Sequence, residues 1–292
     1  MKFFLTILSV LIFNAANTQI TPELLFSKAN DFQYKEQKAD SVLKYYQEIR
    51  QSFPHYSETY ILYLIAKSYL EIGDTSQAEN YFLKSMQIDN KSDSLDFGLG
   101  KHSSCLELAE LYYKQKKYRK ALSYFDSTKK EHKRLKTLCQ GGYGPISQLI
   151  FQYKKAVCYY GINKKDSAII SLAPYIFEPP DYDYIDSLEY DTISKFFVST
   201  VFELYGKKNA KKRMNKAIKN IIYMQAIQEE PGSMFKWLNV DCSISYLGTK
   251  ISLVDSGQFG LTKSDSFPNY LTKEFLLQEF TESPSYKMIF EK

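Results

Sequence analysis

Few residues of this chain stand at the spacings that chemistry demands. Asp96-Phe97-Gly98 copies a protein-kinase tripeptide, and Gly98-Leu99-Gly100-Lys101 hints at a phosphate-cradling loop. Such a loop needs a glycine five residues before its second glycine, where this chain has Leu95, and no kinase catalytic loop follows. Ser41 and Lys44 have the serine–lysine spacing of some acyl-transfer enzymes, but no companion motif accompanies them and no Gly-x-Ser-x-Gly elbow occurs. His55, His102 and His132 are isolated from one another, and the pair His102 and Cys105 supplies two ligands where a metal needs more. Asp181, Asp183, Asp186, Glu189 and Asp191 crowd one stretch, but Ile185 and Asp186 stand where a calcium loop needs its fifth ligand and its glycine. That run reads as a solvated acidic loop ahead of a helix N-terminus. No catalytic residue, metal ligand or cofactor is therefore expected.

Two other groups of side chains are suited to binding. Lys207, Lys208, Lys211, Lys212, Arg213, Lys216 and Lys219 follow one another without an acidic residue, over an apolar stripe of Ala210, Met214, Ala217, Ile218 and Ile221. The plain reading is a solvated outer face above a packed stripe; the sharper one is attraction to a polyanion such as anionic lipid or polysaccharide. Tyrosine is the second group: the chain has 25. Each offers an apolar body and a polar tip, useful between helices and on a binding surface alike.

These residues must be carried by helices. Gly and Pro are scarce, at 12 and 9 of 292 residues, which disfavours a fold of many tight turns. Residues 63–88 read YLIAKSYLEIGDTSQAENYFLKSMQI. Leu62, Ile65, Ala66 and Tyr69 share one face, Gly73 breaks the pattern, and Asp74 with Gln77 starts a second helix striped by Ala78, Phe82 and Ser85. Small residues at 66 and 78 let two helices approach, while Tyr69 and Phe82 fill the space beside the contact. The order returns in LELAELYYKQKKYRKALSYF, through Leu108, Ala109, Tyr112, Tyr118, Ala121 and Phe125. Fainter copies lie at Ala156, Tyr159, Ala168 and Leu172, at Ala39 with Leu43, and at Ala210 with Met214 and Ala217.

This pattern resembles the tetratricopeptide repeat, with large, small, Tyr, Ala and Phe at fixed offsets, and the likeness runs from about residue 21 to 222. The second-helix alanines are 39, 43, 47 and 42 residues apart, against 34 in the family, so the excess is assigned to loops. The resemblance implies an all-α stack of helical hairpins, an α-solenoid, with a concave groove lined by the first helix of each pair. Carried over by offset, the groove residues are Tyr63, Lys67, Leu106, Glu110, Tyr113, Tyr153 and Tyr160. It further implies a non-catalytic scaffold for a protein or extended peptide. The alternative is a carbohydrate- or anion-binding module using the tyrosines or the basic helix. An enzyme would require paired carboxylates meeting from separate repeats.

The ends complete the organisation. Lys2 precedes an apolar run at residues 3–13 and then small and polar residues, the order of a secretory signal peptide. The run is too short to anchor in a bilayer, which takes about 20 residues. Cleavage is expected after Ala16 or Thr18, and no second long apolar stretch exists. The mature chain is thus expected to be periplasmic or secreted, without a transmembrane segment and without a nucleic-acid partner. Cys105, Cys139, Cys158 and Cys242 have irregular spacing, so pairing and free thiols both stay open. The domains read as signal peptide 1–18, helical repeats 19–230 and a C-terminal cap 231–292. Within the cap, residues 237–256 fit either a β-hairpin turning at Gly248, through alternating Val240, Cys242, Ile244 and Tyr246, or a repeat helix; the hairpin is preferred. Thr272 is expected to start a short helix ending near Phe280.

Overall fold

In a computed structural model the protein is described over residues 20–36, 38–88, 99–138, 148–177, 187–229, 235–254, 258–262 and 266–290. The expected signal peptide, Cys139, the Asp-Phe-Gly tripeptide and the first three acids of the acidic run lie outside these residues. The chain divides into two compact units. One holds the described residues of Met1–Lys114 and Ser123–Tyr143, the other those of Gln115–Leu122 and Gly144–Lys292.

Among the described residues there are twelve α-helices. In the first unit α1 (Pro22–Asp31) leads through a π-helical segment, Phe32–Glu36, into α2 (Ala39–Ser52). There follow α3 (Glu58–Glu71), α4 (Thr75–Gln87) and α5 (Leu99–Lys114), and α6 (Tyr118–Leu138) starts in the second unit and runs into the first. The second unit continues with α7 (Gln148–Gly161), α8 (Lys165–Ile176), α9 (Ser187–Tyr205) and α10 (Lys207–Lys219).

Local chemistry sets the hairpins. Asp74 caps α4 as expected, its carboxylate accepting from the Gln77 N–H at 3.0 Å. The turns before α4, α6 and α8 each hold a left-handed residue two places before the helix: Gly73, Lys116 and Asn163. A positive φ suits Gly and is tolerated by Asn, but strains Lys.

A register then repeats in every second helix. Its fourth residue is Val42, Ala78, Ala121, Ala168 or Ala210, and its eighth is Tyr46, Phe82, Phe125, Leu172 or Met214; all ten are buried. In α2 this corrects the sequence reading, which took Ala39 as the small residue. The helix starts at Ala39, so the buried phase falls on Val42, and the interval from Val42 to Ala78 is 36 residues rather than 39. Consecutive hairpins also repeat an aromatic contact: Tyr69 stacks on Tyr81, and Tyr112 on Tyr124, each at 5.4 Å and 22°.

After α10 the chain becomes an antiparallel sheet of β1 (Ile222–Glu229), β2 (Phe235–Tyr246), β3 (Thr249–Ser252) and β4 (Gln258–Thr262). The long β2 carries β1 along one edge, from Ile222 opposite Ser243 to Glu229 opposite Lys236, and carries β3 and β4 along the other. The preferred hairpin is present as β2–β3, with positive φ at both Leu247 and Gly248 in its two-residue turn. Two boundaries differ from the sequence reading. Strand begins at Ile222 instead of after Pro231, and the turn-rich stretch after residue 257 contains β4. Ile218 and Ile221 continue the helical stripe of α10, so periodicity alone hides the break at Asn220.

A 3₁₀ turn (Asn269–Leu271), α11 (Lys273–Glu282) and α12 (Pro284–Phe290) close the chain. Thr272 caps α11, accepting from the Phe275 N–H at 3.3 Å. One face of β2, with Leu238, Val240, Cys242, Ile244 and Tyr246, is buried. Ile244, Tyr246 and Ile251 join Phe280 and Ile289 in the core that also holds the stripes of α8, α9 and α10. The end of the chain is therefore a cap that covers apolar helix faces. One flaw sits in that core: the Tyr246 hydroxyl is buried with no hydrogen-bond partner among the described residues. A buried orphan hydroxyl carries a desolvation cost, so Tyr246→Phe is expected to stabilise the protein by about 1 kcal/mol, read as a rise in denaturant midpoint.

Candidate functional site

The expected groove residues fall on α3, α5 and α7, the first helices of three hairpins, and belong to two different units. In the first unit Tyr63 is half-buried between Tyr60, stacked at 5.8 Å, and Phe82, tilted at 6.1 Å. Burial, then the charge of Glu107, pushes its hydroxyl well above the ordinary tyrosine range, so it stays protonated. Lys67 donates to Glu107 at 2.9 Å, tying α3 to α5. Both side chains are partly exposed, so the pair adds little stability and instead fixes charge at the surface. Leu106, Glu110 and Tyr113 are half-buried on α5.

In the second unit Tyr153 is half-buried and meets Phe196 edge-on at 5.4 Å. Tyr160 is the most exposed of the seven. It meets the same Phe196 at 5.7 Å, donates its hydroxyl proton to Glu203 at 3.0 Å and lies under the Lys165 ammonium. Lys165 also donates to Glu203. The bonds from Lys165 and Tyr160 hold the Glu203 carboxyl below its usual range, so it is an anionic acceptor rather than an acid catalyst. Beside it Tyr205 donates to Asp166 at 2.8 Å, and Arg213 lies 5.0 Å over the Tyr205 ring.

Glu107, Glu203, Lys165 and Phe196 were missed at the level of sequence. The signal was there: Glu107 and Glu203 each lie about one repeat beyond Lys67 and Tyr160, within one helical turn of the equivalent position. Opposite chemistry at equivalent faces of adjacent first helices marks such a pair.

Groups suited to reaction are buried and quenched. Burial, with a further push from Glu131, raises the Cys105 thiol to about 12, and burial followed by Asp241 raises Cys242 to about 11, so both stay as thiols. Cys105 and Cys242 are free, which settles the pairing question for those two. His102 and His132 lie 5.7 Å apart, ring to ring, yet among the described residues no group of three or more side chains is placed to hold a metal. Gly100, from the supposed phosphate loop, lies inside α5 against the backbone of Thr59.

The second unit also carries positive charge. On α10 Lys207, Lys208, Lys212, Arg213, Lys216 and Lys219 are exposed, while Lys211 donates to the Phe290 carbonyl at 3.1 Å. A shallow cavity of about 390 Å³ lies at the turn into α6, lined by Lys116, Lys117, Arg119 and Lys120 with Tyr118, Gly161 and Ile162. Gly161 makes room there, because a Cβ would come within 2.2 Å of the Tyr118 ring. No helix among the described residues is long and apolar enough to cross a membrane.

Comparison with known proteins adds one match and one blank. Residues 106–133, covering most of α5 and α6, match the tetratricopeptide repeat family model. None of the curated proteins compared with the chain matches it. Residues 106–133 thus form a tetratricopeptide repeat by that match, and the same buried register recurs in the other second helices.

Proposed function

We propose that this protein is an exported, non-catalytic scaffold of the cell envelope that holds a protein or an extended peptide on the first helices of its hairpins. Tetratricopeptide repeats serve in general as protein-interaction scaffolds and are generally non-catalytic, and the match at residues 106–133 carries the reading. Export rests on the lysine-led apolar run and small residues of the N-terminus. Within the second unit the rings of Tyr153 and Tyr160 beside the charge of Glu203, and within the first the fixed charges of Lys67 and Glu107, suit a peptide backbone, which needs both apolar contact and hydrogen-bond partners.

The test is capture of a defined partner from a cell-envelope extract by the mature chain, followed by measured affinity. Tyr160→Ala removes an exposed ring and Lys67→Ala a partly exposed ammonium whose ion pair adds little stability, so their unfolding midpoints should lie close to the parent. Each should weaken binding about tenfold if it sits at the heart of the contact. Unchanged affinity in both variants would remove the first helices as the binding face.

A second reading, a module for an anionic glycan or lipid, is favoured by one observation. The exposed cations of α10 have no ion-pair partner among the described residues. In that case glycan or lipid co-purifies, and raising salt releases it, because exposed charges are screened within a Debye length of about 8 Å at physiological ionic strength.

A further inference from the structure

We infer that the outer face of α10 binds an extended anionic polysaccharide, a reading that rests on the anionic alternative above and narrows it to one class of polymer. Every exposed residue of α10 is Lys, Arg or Asn. Three of the cations are occupied by aromatic rings: Lys207 lies over Phe202 at 5.6 Å, Lys211 over Phe290 at 6.0 Å and Arg213 over Tyr205 at 5.0 Å. Lys208, Lys212, Lys216 and Lys219 have neither a ring nor a carboxylate as partner among the described residues. Lys208, Lys212, Asn215 and Lys219 are spaced four, three and four residues apart. On a helix that spacing is a line parallel to the axis, here about 16 Å long, with Lys216 beside it.

This face is kept against local preference. Lys212 stands four residues from both Lys208 and Lys216, and Lys219 three from Lys216, spacings at which like charges repel along a helix. Lys207 and Lys208 also open the helix at its positive end, with no acid in the first turn. Departures of this kind from the local rules are expected where a surface serves binding. An anionic chain laid along the line would relieve both. The composition of the face selects the class of polyanion. An acidic peptide is held mainly by apolar or aromatic anchors, and this face offers none. A bilayer takes up an interfacial helix by its apolar side. In α10 that side is packed inward, with Ala210 and Met214 0% and Ala217 4% exposed. A polysaccharide carrying carboxylates or sulfates needs regularly spaced cations and an amide for its hydroxyls, which Asn215 supplies within the line.

The test is calorimetric titration of the mature chain with polygalacturonate and with heparin, beside poly-glutamate and vesicles of phosphatidylglycerol with phosphatidylcholine. One variant combines Lys212→Gln, Lys216→Gln and Lys219→Gln. A charge-matched control combines Lys116→Gln, Arg119→Gln and Lys164→Gln, exposed cations elsewhere in the second unit. The first variant should unfold at or above the parent midpoint, because repulsion is removed. The expected result is binding of one or both glycans that weakens about tenfold or more in the first variant and stays within about twofold in the control. Raising salt should weaken it as well. Asn215→Ala should weaken glycan binding about threefold or more and leave poly-glutamate unchanged. Failure to bind either glycan overturns the inference, and vesicles bound in their place would leave the anionic alternative standing with lipid as its ligand. Equal loss in the control, no loss in Asn215→Ala, or poly-glutamate bound as tightly as the better glycan overturns it too. Capture of a protein partner on the first helices should be untouched by the α10 variant, so the two readings fail separately.

Discussion

Gly100→Ala lowers stability by about 3 kcal/mol, and the unfolding midpoint by roughly 6–12 °C. Taken alone, the exchange should help, since alanine inside a helix is favoured over glycine by up to about 1 kcal/mol. The surroundings reverse the sign. A Cβ on Gly100 would stand 2.3 Å from the carbonyl carbon and oxygen of Thr59 and 2.4 Å from the amide nitrogen of Tyr60. All three atoms are backbone, so no side chain can rotate away, and α3 and α5 must separate. Thr59 is pinned from the other side as well, because its carbonyl accepts the buried Ser85 hydroxyl at 2.8 Å. Gly73→Ala is the control. Its φ of +86° strains any side chain, but nothing lies within 4 Å, so it should cost only about 1 kcal/mol. Chemical denaturation of both variants decides the matter: equal losses would mean that the close approach at Gly100 is not a stability determinant.

Acid weakens the first unit through one histidine. His102 is 4% exposed on α5, and burial, followed by the nearby His132, lowers its pKa from 6.5 to about 4, while Glu131 opposes the shift. The unfolded chain takes up a proton below pH 6.5, and the folded chain resists until about pH 4. The stability linked to neutral His102 is therefore complete above pH 6.5 and is lost as pH falls to 4. It amounts to about 3 kcal/mol over that window. His102→Gln, neutral at every pH, should flatten the melting curve between pH 6.5 and 4 relative to the parent. Parallel pH profiles for the two proteins would rule the histidine out.

The helical part was legible because the two best hairpins place small and large residues where helix contacts require them. Ala66, Ala78, Tyr69 and Phe82 follow from that requirement, and so does the Asp74 cap. The sheet was only half legible. β2 alternates, with Val240, Cys242, Ile244 and Tyr246 turned to the core, and it ends at a glycine turn. β1 carries apolar residues on both faces as an edge strand, so period 2 never shows, and it follows α10 with hardly a break. The expected groove residues lie on first helices of hairpins, but their surroundings were not readable. Tyr63 spends its ring on Tyr60 and Phe82, and Lys67 is held by Glu107, because contacts between repeats depend on how helices meet and not on spacing along the chain.

The buried fourth and eighth places of each second helix bear on how such a chain drifts over generations. Packing is renewed at the start of every second helix, so connectors between hairpins accept insertions without disturbing the next pair. The intervals between Val42, Ala78, Ala121, Ala168 and Ala210 are 36, 43, 47 and 42 residues, yet the buried places keep their order within each second helix. A comparison that expects a constant repeat length then sees one hairpin, while kinship among proteins of this build survives in the rhythm of buried residues inside each pair.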